Sequence, residues 1–287
     1  MEKTMLDLMR QRYSCRRYLE KPIGDSDRDS LAAFLAANHT GPFGSSHRLA
    51  LVAATADDPV SLKGLGTYGF IKNARGFIVG AMSPSPRAPE DFGYLMEHAI
   101  LHATGLGLGT CWLGGSYTKS SFARKIAAAP PETVPAVTSV GYPAEAAKDD
   151  DWIRRRAGGA FRLPPEQLFF AGAFGRPLDL SGAGPYAEVL EMVRWAPSAS
   201  NKQPWRVVAA DGRWHLYLRR TKGYGKDSFF GRLLGVADLQ RIDLGIAMCH
   251  FELAARALGL AGRWELAEPP LAKPDSLTEY TATWVSG

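Results

Sequence analysis

Asp91–Trp112 (DFGYLMEHAILHATGLGLGTCW) and Asp243–Trp264 (DLGIAMCHFELAARALGLAGRW) are two versions of one segment. A shift of 152 positions, the distance from Trp112 to Trp264, superimposes Asp91 on Asp243, Gly93 on Gly245, Met96 on Met248, His98 on His250 and Leu101 on Leu253. It also superimposes Ala103 on Ala255 and Leu106-Gly107-Leu108 on Leu258-Gly259-Leu260. Unrelated segments of this length share about one or two residues, so the match reads as an internal repeat. Ala53-Ala54 and Tyr68-Gly69 recur at Ala209-Ala210 and Tyr224-Gly225, a shift of 156, and the small difference between the two shifts fits a loop deletion. Two long halves of one kind imply a fused dimer, with any ligand pocket expected where concave sites form, between the halves.

Around these segments the chain alternates helix and strand signals. Met5, Leu8 and Met9 give residues 3–12 helical spacing, and Ser26–Ala37 reads as a second helix with Leu31, Phe34 and Leu35 on one face. Leu49–Ala54, Phe77–Ala81 and Val134–Val140 have strand character, and Asp91–Leu106 is a helix closed by Gly105, Gly107 and Gly109. After a Gly- and Pro-rich crossover, Ala157–Leu180, the order repeats: helix Tyr186–Trp195, a polar loop, strands Trp205–Ala210 and Trp214–Arg219, helix Ala237–Leu258 and strand Gly262–Glu268. Several strands adjoin in hairpins, which predicts an α+β layered fold with mainly antiparallel sheets rather than uniform βαβ winding.

Composition excludes several classes. The 287 residues are 46% hydrophobic and 22% charged, as in soluble globular domains with a sizeable core. No apolar run reaches the roughly twenty residues that span a bilayer, and Met1–Asp7 has no signal-peptide core, so the expected location is cytoplasmic, with no membrane partner. Cys15, Cys111 and Cys249 lie far apart, which indicates neither a disulfide framework nor a zinc cluster. His98 and His102 stand four apart on a helix, but only His98 recurs, and structural roles are expected for both; no metal site is expected. The net charge of +5 suits small anionic ligands, while Arg154-Arg155-Arg156 follows Asp149-Asp150-Asp151 and is largely neutralised, so no nucleic-acid surface is expected.

Two short stretches carry chemistry. Arg12-Tyr13-Ser14-Cys15-Arg16 sets two guanidinium groups beside a hydroxyl, either a phosphate cradle or a solvated basic turn. Ala196-Pro197-Ser198-Ala199-Ser200-Asn201-Lys202-Gln203-Pro204-Trp205 is a rigid polar loop whose hydroxyls and amides suit the rim of a planar heterocycle, or else an ordinary turn. Gly105-x-Gly107-x-Gly109 follows a helix rather than a strand and reads as a helix stop with close packing, not a dinucleotide fingerprint. Trp112 and Trp264 read as core residues.

Arg12-x-Ser14-x-Arg16, the Pro197-Ser198-x-x-Asn201-x-Gln203-Pro204-Trp205 loop, Gly105–Gly115 and Gly141-Tyr142-Pro143 together resemble the FMN-dependent nitroreductase superfamily, over nearly the whole chain. Its members are usually homodimers whose sites draw on both subunits. Here residues 1–165 hold the basic segment, Gly114-Gly115 and Arg162 but a degraded loop, Gly41–Leu49. Residues 166–287 hold the intact loop without the basic segment or a glycine pair. The resemblance is to the single-chain, pseudo-dimeric branch. It implies a three-layer α/β/α nitroreductase-like fold of two pseudo-twofold-related halves, monomeric or weakly homodimeric, with one complete site.

The resemblance further implies that Arg12, Ser14 and Arg16 hold the FMN phosphate, with Tyr13 contributing backbone. Pro197, Ser198, Ala199, Ser200 and Asn201 would line the ring and ribityl chain, and Gly114 and Gly115 would pass near flavin N5. Arg162 and Arg156 would add charge near the phosphate, and Tyr68, Gly69 and Lys72 would form a loop near the flavin. No catalytic side chain is implied, because the flavin carries the chemistry. NAD(P)H would be the electron donor and a nitroaromatic, quinone or similar small molecule the acceptor, in a ping-pong cycle. The alternative is a flavin-binding or flavin-processing protein without such turnover.

Overall fold

The computed structural model describes residues 3–55, 58, 60–144, 159, 161–224 and 237–287. The chain divides into two compact units: the first is Gln11–Ala157, and the second unites Met1–Arg10 with Gly158–Gly287. The expected division, 1–165 and 166–287, places the first ten residues with the first half, whereas the compact units group them with the second. Helix α1 (Met5–Gln11) explains the grouping, since Arg10 in its last turn is ion-paired with Glu188 of the second unit.

In the first unit, α2 (Asp25–Ala37) buries Leu31 and Leu35, one helical turn apart. Strand β1 (His47–Ala53) pairs antiparallel with β2 (Gly76–Met82), setting Leu51 opposite Ile78. Helix α3 (Ala88–Gly105) then leads to β3 (Gly109–Leu113), α4 (Lys119–Lys125) and β4 (Val137–Gly141). The four strands form a fully antiparallel sheet in the order β1-β2-β4-β3. The central strand β4 is buried at every position, as a strand covered on both faces must be.

In the second unit a single turn, α5 (Pro165–Leu168), runs into β5 (Phe169–Ala171). Then follow α6 (Tyr186–Trp195), β6 (Trp205–Ala210), β7 (Arg213–Arg219), α7 (Leu239–Ala257), β8 (Gly262–Glu265) and β9 (Thr278–Ser286). The sheet order is β5-β6-β7-β9-β8, antiparallel except for β5 against β6. Without β5, this is the first unit's order with β6, β7, β9 and β8 in place of β1, β2, β4 and β3. The sequence repeat is therefore a repeat of topology, and the α+β class with mainly antiparallel sheets holds.

Both repeated helices end alike. Gly107 and Gly259 take φ of +77° and +73°; Leu108 N–H reaches back to Ala103 O, and Leu260 N–H to Ala255 O, each at 2.9 Å. This is a glycine-terminated helix end in both copies, as Gly105-x-Gly107-x-Gly109 predicts for the first. Four strands differ from expectation. β3 lies within the glycine-rich run, β5 lies in the stretch read as the crossover, β9 lies beyond the last predicted element, and β8 stops at Glu265 rather than Glu268.

Candidate functional site

In the first unit the basic segment is extended and laid along the sheet edge. Ser14 bridges Thr110 of β3 in parallel, and Cys15 N–H donates to Thr110 O at 2.8 Å. Beyond it, Lys72 N–H donates to Arg16 O at 2.9 Å and Tyr18 N–H to Lys72 O at 3.1 Å. The backbone of residues 14–18 is thus held between β3 and the 71–73 segment, bringing Ser14, Arg16, Arg17 and the exposed Lys72 together. Close approach explains Gly109: a Cβ there would stand 2.8 Å from Cys15 Sγ.

Tyr13 packs its side chain against the core cluster of this unit, in keeping with a backbone role. Arg12 is buried, its Nε 3.6 Å from Oε1 of the fully buried Glu97. The other Glu97 oxygen accepts the Trp112 indole N–H at 2.7 Å. Sequence reasoning missed Glu97, which no repeat partner marks. Gly114 and Gly115 follow β3 directly, and a Cβ at Gly115 would meet nothing within 4 Å. Tyr68 and Gly69 form an exposed turn, with φ of +48° and +77°. Arg156 lies outside the described residues.

In the second unit the 197–203 loop is fastened by its own polar groups. Gln203 N–H donates to Ser198 Oγ at 2.8 Å, and Asn201 N–H to Ser198 O at 2.9 Å. The Asn201 side-chain amide donates to Phe161 O at 3.0 Å, and Leu163 N–H donates to Gln203 Oε1 at 2.8 Å. Gln203 is buried, so its amide is an internal rivet of the loop rather than the exposed group the sequence suggested. Arg162 stands at the same place, donating to the carbonyls of Gly159, Phe161 and Trp195. Ser200, Asn201 and Gln203 all carry positive φ, +50°, +53° and +47°. Such backbone costs non-glycine residues free energy and concentrates at functional sites.

Two further residues hold this loop, and neither was singled out in the sequence as a site residue. Tyr224 Oη donates to Ser200 Oγ at 2.9 Å. Asp243, buried in α7, accepts Ala199 N–H on Oδ1 at 2.9 Å. The signal was present in the repeat, since Tyr224 and Asp243 are the copies of Tyr68 and Asp91.

Among the described residues no cluster of His, Cys, Asp or Glu could hold a metal ion, and no helix is long and apolar enough to cross a membrane. His98 and His102 pack on Phe34, His102 stacked at 4.2 Å, with Ser30 Oγ hydrogen-bonded to His102 Nε2.

Residues 4–255 match a family model described as "Putative TM nitroreductase". No protein of curated function matches the chain. Among solved structures, a Thermotoga maritima protein described as a putative nitroreductase is 17% identical, with a TM-score of 0.62 over 99% of this chain and 94% of its own. A nitroreductase family protein of Clostridium difficile 630 is 16% identical, TM-score 0.42, over 56% of this chain and 94% of its own. A Desulfovibrio desulfuricans protein, also described as a putative nitroreductase and in complex with FMN, is 23% identical, TM-score 0.41, over 52% and 92%.

Proposed function

The chain belongs to the TM nitroreductase family, and from that premise we propose that it is an FMN-dependent NAD(P)H oxidoreductase. The observation that carries the reading is the pinning of residues 14–18 between Thr110 and Lys72, which gathers Ser14, Arg16 and Lys72 at one place. A phosphate monoester is the chemistry such a group fits, because a hydroxyl and cationic residues are neighbours on a backbone already held in place.

The other residues fit the same cofactor. Gly115 faces open space, so protein packing does not explain a glycine there, and unobstructed approach of a ligand to the backbone does. The strained 197–203 loop presents Pro197, Ser198, Ala199, Ser200 and Asn201 as the ring-side wall, with Arg162 and Tyr224 bracing it. Arg12, Ser14 and Arg16, with Tyr13 backbone and Lys72, would hold the phosphate end. Tyr68 and Gly69 would stand beside them. When bound, FMN supplies reversible hydride acceptance, taken from NAD(P)H and passed in a ping-pong cycle to a nitroaromatic, quinone or similar acceptor. The protein orients and excludes water, and no side-chain base is required.

The repeat supports reading the chain as a fused pair of subunits, active as a monomer or weak homodimer. A visible spectrum tests the proposal: purified protein is expected to carry flavin absorbance that NAD(P)H bleaches anaerobically. Flavin that NAD(P)H leaves oxidised would favour a flavin-binding role, and a colourless protein that ignores added FMN would remove the reading. The double variant Arg12→Ala, Arg16→Ala is expected to lose most of its flavin, since each charge-assisted bond contributes about 1.5–3 kcal/mol.

A further inference from the structure

The two copies of the loop treat their aspartate differently. In the first unit Asp91 is saturated: Oδ1 accepts Phe43 N–H at 2.9 Å and Oδ2 accepts Ser45 N–H at 2.8 Å. Under the 156-residue shift, Phe43 and Ser45 correspond to Ala199 and Asn201. Ala199 N–H keeps the equivalent bond to Asp243 Oδ1, at 2.9 Å. Asn201 N–H does not; it donates to Ser198 O, and Asp243 Oδ2 is buried without a hydrogen-bond partner.

The backbones of the two loops differ as well. Gly44 has φ of +83° and its counterpart Ser200 +50°, but Asn201 is also left-handed where Ser45 is not. With this turn the Asn201 N–H meets Ser198 O at 2.9 Å instead of the carboxyl. A buried oxygen left unmatched is costly, and the left-handed turn adds strain. The degraded loop lacks both features and the intact loop has both.

We propose that Asp243 is the positioning residue of the cofactor loop, its vacant Oδ2 being the seat that the Asn201 N–H takes when the loop closes on FMN, as Ser45 N–H sits permanently on Asp91. This rests on the reading of the loop as an FMN wall.

The step carries a proton. Burial holds the Asp243 carboxyl well above the usual range, against the lowering effect of the Ala199 bond; Asp238 adds to the rise. Among the described residues Tyr224 senses the Asp243 charge and carries Lys202 over its ring, and Asp238 is paired with Arg220, which also holds Glu279. Two N–H donors favour the ionised form. Closing the loop therefore releases the Asp243 proton to solvent, and FMN binding strengthens as pH rises.

The test is FMN affinity by flavin fluorescence quenching from pH 5 to 9, on the unsubstituted protein and on Asp243→Asn. The expected result is weaker binding by the variant, with the ratio of the two Kd values growing by up to about tenfold per pH unit until Asp243 ionises in the free protein. Comparing the two proteins cancels the titration of the phosphate itself. Because the substitution could impair folding, hydrogen exchange on the unsubstituted protein is the second measurement: FMN is expected to slow exchange of the Asn201 amide, leaving Ala199 slow throughout. A pH-independent ratio, or an Asn201 amide indifferent to bound FMN, overturns the proposal and leaves the FMN reading standing. Failure of the unsubstituted protein to quench FMN at all overturns both.

Discussion

Glu97 sits where stability and affinity pull in opposite directions. It is fully buried, accepts the Trp112 indole N–H and lies against Arg12, itself almost fully buried. Breaking a buried ion pair from one side costs up to about 3–5 kcal/mol. Glu97→Gln keeps an acceptor for Trp112 but removes the negative charge. It is expected to lower the unfolding free energy by an amount of that order while strengthening FMN binding severalfold, since the positive potential at Arg12 is no longer offset. Chemical denaturation and flavin titration on one preparation check both signs. An unchanged unfolding midpoint would show that Arg12 does not depend on Glu97.

At the scale of elements, the helix ends and the loops obey different rules. Gly259 ends α7 at φ +73° with nothing within 4 Å of an added Cβ, so Gly259→Ala carries backbone strain alone, about 1–2 kcal/mol. Gly107→Ala on α3 is expected to cost the same, because both ends share one bonding pattern. Thermal unfolding of the two variants checks this, and a clear inequality would mean the ends are not equivalent. These ends were legible in the sequence because glycine after an amphipathic run is a local signal. So was the 197–203 loop, as a motif. What was not legible depends on partners distant in sequence. β3 was hidden among glycines that serve its approach to Cys15. β9 was missed because its alternation is broken where Leu216 and Tyr217 shift register against it. The Asp243 role needed the hydrogen bonds of both copies side by side; the sequence showed only a repeated aspartate.

At the scale of the whole molecule, acid stability follows from groups in both units. Burial lowers the pKa of His47 and His102 in the first unit and of His215 in the second. The unfolded chain binds protons at these sites below about 6.5, where the folded chain resists them. Their contribution is therefore complete above that value and is lost as pH falls through the lowered folded values. Asp243 has the opposite sign: its raised folded pKa means the native state holds the extra proton above the ordinary carboxyl value, so acidification towards that value returns stability. Three histidines against one carboxyl give a net loss on acidification, each unmatched proton contributing at most about 1.4 kcal/mol per pH unit. The melting temperature is expected to fall between pH 7 and pH 5, and more steeply in Asp243→Asn, where the opposing group is gone. A melting temperature that stays level over this range, or a variant with a shallower slope than the parent, would mean that the buried imidazoles do not govern the response.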